Sequence, residues 1–193
     1  MDEHFQLIKE KDGWDNIPGK KILYPDFLNE VKIAVRANEI EWAERYVEKN
    51  KYILVEGKEN TCNFCDGLIA YKKGNHDKAL ELLSKTNFPN FILKLQVKIL
   101  ELQIFYEMEY FDQSVSAIDN FRHYIKREST IKDDFKKMFI EFLNVTGSMI
   151  KYKTGNYGKE KNFYLSKIKN DITAMTGNQF GIKLWLMEKF KSL

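Results

Sequence analysis

The two cysteines, Cys62 and Cys65, form a C-x-x-C motif, which is the pattern in this chain most typical of metal or redox chemistry. A zinc site needs four ligands, and neither His4 nor His123 lies at ligand spacing from this pair. A thioredoxin-type redox motif expects a strand-to-helix context, whereas these cysteines fall within a predicted amphipathic helix. We therefore predict two reduced thiols with packing roles, and we keep a redox-sensitive pair and a metal site as alternatives.

Residues with other catalytic potential are scattered along the chain. The three histidines, of which His76 is the central one, lie far apart. Asp133 and Asp134 form a carboxylate pair, but adjacent residues of a helix point in different directions. Neither G-x-G-x-x-G nor G-x-x-x-x-G-K-[ST], the glycine-rich patterns of phosphate-binding loops, occurs in the sequence. We predict a chain that is not an enzyme and uses no cofactor or metal, with an enzyme built on a polar pocket as the alternative.

The positive charge is concentrated in the C-terminal third. Residues 1–120 contain 16 Lys and Arg against 21 Asp and Glu, whereas residues 121–193 contain 15 against 7. In this basic region, lysines alternate with aromatic residues at 151–153 and at 159–164. The alternatives are a solvated lysine-rich surface and a surface for an acidic partner or nucleic acid. Nucleic acid is the less expected partner, because rings at helical spacing more often belong to a core.

The elements that must position these residues are helices. Apolar residues recur with a period near 3.6 residues, and no segment shows the alternation of a strand. At 193 residues the chain can form one domain or a stack of helix pairs. The periodicity predicts about nine helices, at 26–37, 39–52, 60–73, 76–85, 90–108, 111–128, 131–152, 158–169 and 178–191.

A small residue recurs near the start of every second helix. Ala43, Ala79 and Ser114 follow one another at steps of 36 and 35 residues, and a fourth turn follows at a longer interval. Each turn also carries an apolar or ring residue that we expect to wedge between the two helices of a pair. These wedge residues are Ile40, His76, Phe111 and Tyr157. The pattern predicts antiparallel helix pairs joined by short turns.

This spacing resembles the tetratricopeptide repeat, a helix–turn–helix unit of about 34 residues with small residues at its helix crossings. With Asn60 as the first position, Gly67, Gly74 and Ala79 match the small, turn and small positions of that repeat. Leu102 occupies one of the small positions of the next repeat, so the match is weaker there. The resemblance covers roughly residues 26–165 and implies a solenoid of stacked helix pairs.

Several segments are also similar to the C-terminal helical-repeat region of large uncharacterised bacterial proteins. The segments that carry this likeness are 39–46, 71–75, 78–84, 120–127 and 184–189. It implies a bacterial chain that is, or descends from, part of something longer. No function is implied by it.

For domain organisation, we predict an N-terminal loop or remnant of an earlier repeat at residues 1–25, in which Trp14 packs on the first pair. Residues 26–193 are expected to form a single helical-repeat domain with a C-terminal capping helix. No apolar run reaches the ~18–20 residues that span a bilayer, and the N-terminus lacks a secretory pattern. The expectation is a soluble, cytoplasmic chain without membrane contact.

The first helices of stacked pairs line the concave side of a solenoid, and repeat proteins of this kind usually bind other proteins. We therefore predict a non-catalytic interaction or scaffolding module that holds a peptide or helix in this groove. Phe64, Leu68 and Tyr71 share one face; if that face is open it offers an apolar strip, and otherwise a neighbouring helix covers it. The predicted groove residues are Asn29, Lys32, Arg36, Phe64, Leu68, Tyr71, Lys72, Gln103 and Tyr106, with Ile99 and Glu107 beside them. The partner and the oligomeric state do not follow from the sequence.

Overall fold

The computed structural model describes residues 3–11, 21–129, 131–155 and 157–193. Within these ranges the chain is all-α, as predicted, and no strand occurs; Ile22 and Leu54 form one isolated parallel β-bridge. Ten α-helices are present in the described residues, one more than predicted because residues 3–11 are helical. They are α1 Glu3–Lys11, α2 Tyr24–Arg36, α3 Ile40–Asn50, α4 Lys58–Lys72, α5 His76–Ser84, α6 Phe91–Glu107, α7 Phe111–Arg127, α8 Asp133–Thr154, α9 Lys161–Ala174 and α10 Ile182–Phe190.

The chain divides into two compact units, Met1–Ile104 and Phe105–Leu193. In the first unit, aromatic contacts join α1, α2 and α3: Phe5 lies edge-on to Trp42, and Phe27 packs on Tyr46. The expected contact of Trp14 lies outside the described residues. In the second unit, α10 packs against α8 and α9 and buries Ile182, Trp185 and Leu186.

The turns of the first three helix pairs share one backbone conformation. Asn38, Gly74 and Glu109 each adopt a left-handed φ, of 61°, 76° and 57°. In each turn the next residue donates its backbone N–H to the carbonyl five residues earlier, at 2.9 Å. This is the hydrogen-bond pattern of a Schellman-type helix end. The pairs α2/α3, α4/α5 and α6/α7 are therefore closed in the same way, and we call them the three helix hairpins.

The small residues of the second helices lie where the sequence periodicity predicted. Ala43, Ala79 and Ser114 are all completely buried. In the α4/α5 hairpin, a Cβ atom added at Gly67 would lie 3.3 Å from the Leu83 side chain and 3.6 Å from the Ala79 carbonyl oxygen. The lack of a side chain at Gly67 therefore lets the two helices approach closely.

The ring residues after the turns pack on the first helix of their own pair, five residues back. His76 lies 5.8 Å from Tyr71, Phe111 lies 6.4 Å from Tyr106, and Tyr157 lies 5.7 Å from Tyr152, measured between ring centroids. Ile40, at the corresponding place in the first hairpin, is buried. The fourth turn differs in its backbone, because a short 3-10 segment, Gly158–Glu160, precedes α9.

A half-buried carboxylate, Glu101, lies in the middle of α6, which is apolar on nearly all sides. Burial raises the pKa of the Glu101 carboxyl, and the charge of Lys98 offsets this only in part. A raised folded-state pKa means that stability is lost as the pH rises through that pKa, because the ionised carboxylate is disfavoured in the folded chain.

We expect Glu101→Gln to raise the free energy of unfolding at neutral pH by up to about 1 kcal/mol, since glutamine does not ionise. The gain should shrink toward about pH 4, where the native carboxyl is itself protonated. Urea unfolding at both pH values measures it. Glu59→Gln, at an exposed position of α4, should give no gain, and an equal gain in both variants would contradict the assignment to burial.

Candidate functional site

The first unit brings the first helices of its hairpins together around Lys32. The Nζ atom of Lys32 on α2 donates a hydrogen bond to Oε1 of Gln96 on α6 at 3.3 Å. The same lysine interacts electrostatically with the Cys65 thiol on α4. Asn29 and Arg36 lie three residues before and four after Lys32, so all three share one stripe of α2. Lys32 therefore marks the place where α2, α4 and α6 come together.

We define the first-helix face as the surface around Lys32 within the first unit. On α4, positions 65, 68 and 72 share one stripe, so Leu68 and Lys72 lie on the side that approaches Lys32, with Tyr71 beside them. The first-helix face comprises Asn29, Lys32, Arg36, Leu68, Tyr71 and Lys72, and the buried Gln96 holds Lys32 through its hydrogen bond. Three of these six surface residues are cationic, although residues 1–120 carry a net negative charge.

The predicted groove residues differ in their exposure. Asn29, Arg36 and Lys72 are exposed, whereas Lys32, Leu68 and Tyr71 are half-buried. The other three predicted groove residues, Phe64, Gln103 and Tyr106, are buried. Of the two neighbouring positions, Ile99 is buried as well, and Glu107 is half-buried and bonded to Trp185 and Lys189.

The two buried rings are covered by segments that lie later in the chain. Phe64 packs edge-on against Phe88 at 5.9 Å, which is part of the segment between α5 and α6. Tyr106 packs against Phe111 and Trp185, and burial raises its pKa to about 12. The apolar strip of Phe64, Leu68 and Tyr71 is thus covered at its Phe64 end, and the surface that remains is largely polar and cationic.

Lys32 is the charged residue at the centre of this face. Burial lowers the pKa of its ammonium group, while the neighbouring Cys65 thiol acts in the opposite direction. A partly desolvated ammonium gains more from a carboxylate than an exposed one does, because the local dielectric constant is lower. Gln96, which no sequence pattern distinguishes from the other polar residues of α6, is its hydrogen-bond acceptor.

The cysteine pair lies on α4 beside this face. Both thiols are free, Cys62 half-buried and Cys65 buried. Burial raises the pKa of Cys62 and raises that of Cys65 well above its ordinary value, and the charge of Asp66 acts in the same direction. Since the thiolate is the reactive form of cysteine, this environment disfavours nucleophilic and metal-binding chemistry at the pair.

The basic C-terminal region contains the second candidate site. Its interleaved aromatic residues come together in the second unit as a row of four rings, Tyr152, Tyr157, Tyr164 and Phe163. Lys161 lies over the first ring, with its Nζ atom 5.8 Å from the centroid of Tyr152. Phe163, at the other end of the row, is exposed.

Two further observations concern metal binding and membrane-spanning helices. Among the described residues, no three His, Cys, Asp or Glu side chains are grouped so that they could hold a metal ion. In the same part of the chain, none of the helices combines the length and the apolar character that crossing a bilayer requires.

Comparison with known proteins returns no match: no family model, no curated protein and no solved structure matches the chain.

Proposed function

We propose that this chain is a non-catalytic interaction module whose first-helix face holds an acidic segment of a partner protein. The observation that carries this proposal is the half-buried Lys32 bonded to Gln96 at the meeting point of α2, α4 and α6. Arg36 and Lys72 add positive charge on the same side. An extended or helical segment with Asp or Glu side chains would complement these charges, while Leu68 supplies apolar contact.

The repeated hairpins support the same class of function. Three successive turns share one conformation, and repeat proteins built from such hairpins hold extended segments on their first helices. Tetratricopeptide-like stacking, a scaffolding role and a cytoplasmic, bacterial setting are parts of this proposal that rest on the sequence and on the resemblances given above. No catalytic group is invoked.

Photo-crosslinking in the native cell tests the proposal. A photoreactive amino acid is placed at Asn29 or Lys72, both exposed on the first-helix face, and at Ser84, which is exposed on α5. We expect the two face positions to crosslink to the same protein, and the Ser84 position not to do so. Mass spectrometry of the crosslinked peptide should show a segment rich in Asp or Glu.

Two substitutions on the face refine this test. Leu68→Asp and Lys32→Gln should each reduce the crosslink yield several-fold, the first by adding repulsion and the second by removing a charge. Tyr71→Ala is a poor choice, because the Tyr71 ring supports His76 in the turn. Equal crosslinking from Ser84, or unchanged yields in both variants, would show that the partner binds elsewhere.

A further inference from the structure

Lys32, at the centre of the first-helix face, is a half-buried cation without a counter-charge. Its Nζ atom donates to Oε1 of Gln96 at 3.3 Å, and among the residues that the structure describes no carboxylate forms an ion pair with it. Lysines that leave water are as a rule paired, because an ammonium group is strongly hydrated. The uncompensated charge of Lys32 therefore costs stability, and the packing of three helices does not require it.

The two groups that act on the Lys32 ammonium group are both neutral. Gln96 carries an amide, which accepts the hydrogen bond but has no charge. Burial, together with the charge of Asp66, raises the pKa of the Cys65 thiol well above its ordinary value, so this thiol stays protonated at neutral pH. Neither of these two neighbours cancels the positive charge of Lys32.

The amide at residue 96 is therefore an informative choice of side chain. A glutamate there would have nearly the same size and shape as Gln96, and it would form an ion pair with Lys32. An ammonium group has three N–H donors, of which Gln96 accepts one. The amide thus holds Lys32 in position and leaves both its charge and its other donors for a ligand.

A carboxylate from a partner is the group that completes this arrangement. At Lys32 it would meet an ammonium group in partly desolvated surroundings, where the attraction is stronger than in water. Lys72, by contrast, is exposed, and exposed ion pairs contribute little. Because binding energy at interfaces is concentrated in a few buried contacts, one acidic residue against Lys32 should dominate the charge-dependent affinity.

We propose that Gln96 is the specificity-determining residue of the first-helix face: it positions Lys32 without neutralising it, and one Asp or Glu side chain of the partner supplies the missing charge. This inference rests on the proposed function, because it concerns the same face. Gln96 acts through Lys32 and does not itself contact the partner. Other acidic residues of the partner segment, near Arg36 and Lys72, add little to the affinity.

The free chain tests the charge assignment without any partner. NMR of labelled lysine side chains should show Lys32 titrating below the ordinary lysine pKa, and Gln96→Glu should raise the pKa of Lys32, because a carboxylate then faces it. Gln103→Glu is the matched control, since Gln96 and Gln103 are both 8% exposed. Residue 103 lies about 10 Å further along α6, so this change should raise the Lys32 pKa much less.

Binding is measured by titration with a synthetic peptide of the segment that crosslinks to Asn29 and Lys72. Gln96→Glu should weaken binding about tenfold or more, because its carboxylate competes with that of the partner. Gln96→Leu removes the acceptor but leaves Lys32 charged, so the loss should be only about two- to fivefold. One replacement of an acidic peptide residue by its amide should weaken binding to the unsubstituted chain about tenfold, and binding to the Gln96→Glu chain less than about twofold.

Failure of this inference and failure of the proposed function give different results. If the first-helix face crosslinks to no protein, the proposed function is wrong and the partner carboxylate at Lys32 is wrong with it. If the peptide binds the unsubstituted and Gln96→Glu chains equally, the proposed function stands and the role of Gln96 is overturned. An unchanged Lys32 pKa in Gln96→Glu, or equal losses from Gln96→Glu and Gln96→Leu, would likewise overturn the charge assignment alone.

Discussion

Trp185→Ala is expected to destabilise the second unit by about 3–5 kcal/mol, the range for removing a large buried ring. The Trp185 ring lies 5.3 Å from Tyr106 and 6.0 Å from Phe142, both edge-on, so the substitution leaves a cavity between them. It also removes the indole N–H that donates to Glu107 Oε1 at 2.8 Å. Because a typical domain is stable by only about 5–15 kcal/mol, we expect this single change to unfold a measurable fraction of the second unit.

The contribution of the Trp185–Glu107 hydrogen bond can be separated from that of the cavity. Trp185→Phe keeps a ring but removes the donor, and should cost about 1–3 kcal/mol. Glu107 keeps its ion pair with Lys189 at 3.0 Å in both variants. Urea unfolding followed by circular dichroism measures the losses. Leu184→Ala, at a neighbouring position that is 62% exposed, should change stability by less than about 0.5 kcal/mol. A loss below about 1 kcal/mol for Trp185→Ala would show that Trp185 does not hold this core together.

Ala79→Leu is expected to cost about 1–3 kcal/mol or more, because it adds volume at a close helix crossing. Ala79 is completely buried, and its carbonyl lies beside Gly67 on the facing helix. The two helices cannot move apart freely, because the turn at Gly74 joins them and is closed by a hydrogen bond from the Asn75 backbone N–H to the Ala70 carbonyl oxygen. The added side chain must therefore displace Leu83 or strain the backbone.

The equivalent positions provide a replicate and a control. Ala43→Leu in the first hairpin should cost a similar amount, because Ala43 is also completely buried. Ala174→Leu, at an exposed alanine at the end of α9, should change stability by less than about 0.5 kcal/mol. Thermal and urea unfolding measure all three. Similar effects of Ala79→Leu and Ala174→Leu would contradict a close crossing of α4 and α5.

The sequence predicted the helices and the buried small residues well because both depend on local patterns. The 3.6-residue period reports which side of a helix is buried, and the steps between Ala43, Ala79 and Ser114 report the hairpin spacing. The left-handed turn residues were only partly visible. Gly74 suits that conformation, but Glu109 is a poor residue for it, and the hydrogen bond from Tyr110 to Phe105 stabilises the turn there.

The candidate site was predicted less well because it depends on contacts between distant segments. The repeat register identified which side of each first helix faces away from its partner, but not what covers that side. Phe88 covers Phe64, and Trp185 covers Tyr106. No local sequence pattern predicts either contact. Likewise, the hydrogen bond between Lys32 and Gln96 joins residues 64 positions apart in the sequence, so no local pattern predicts it.

The most direct test of the proposed function is an NMR titration of the isotope-labelled chain with the partner segment identified by crosslinking. We expect the largest amide shifts at the first-helix face, around Lys32 and Leu68, and we expect added salt to weaken binding because the contact is partly ionic. Lys32→Gln should abolish most of these shifts. Shifts centred on α3 and α5, with the amides around Lys32 unchanged, would contradict the account.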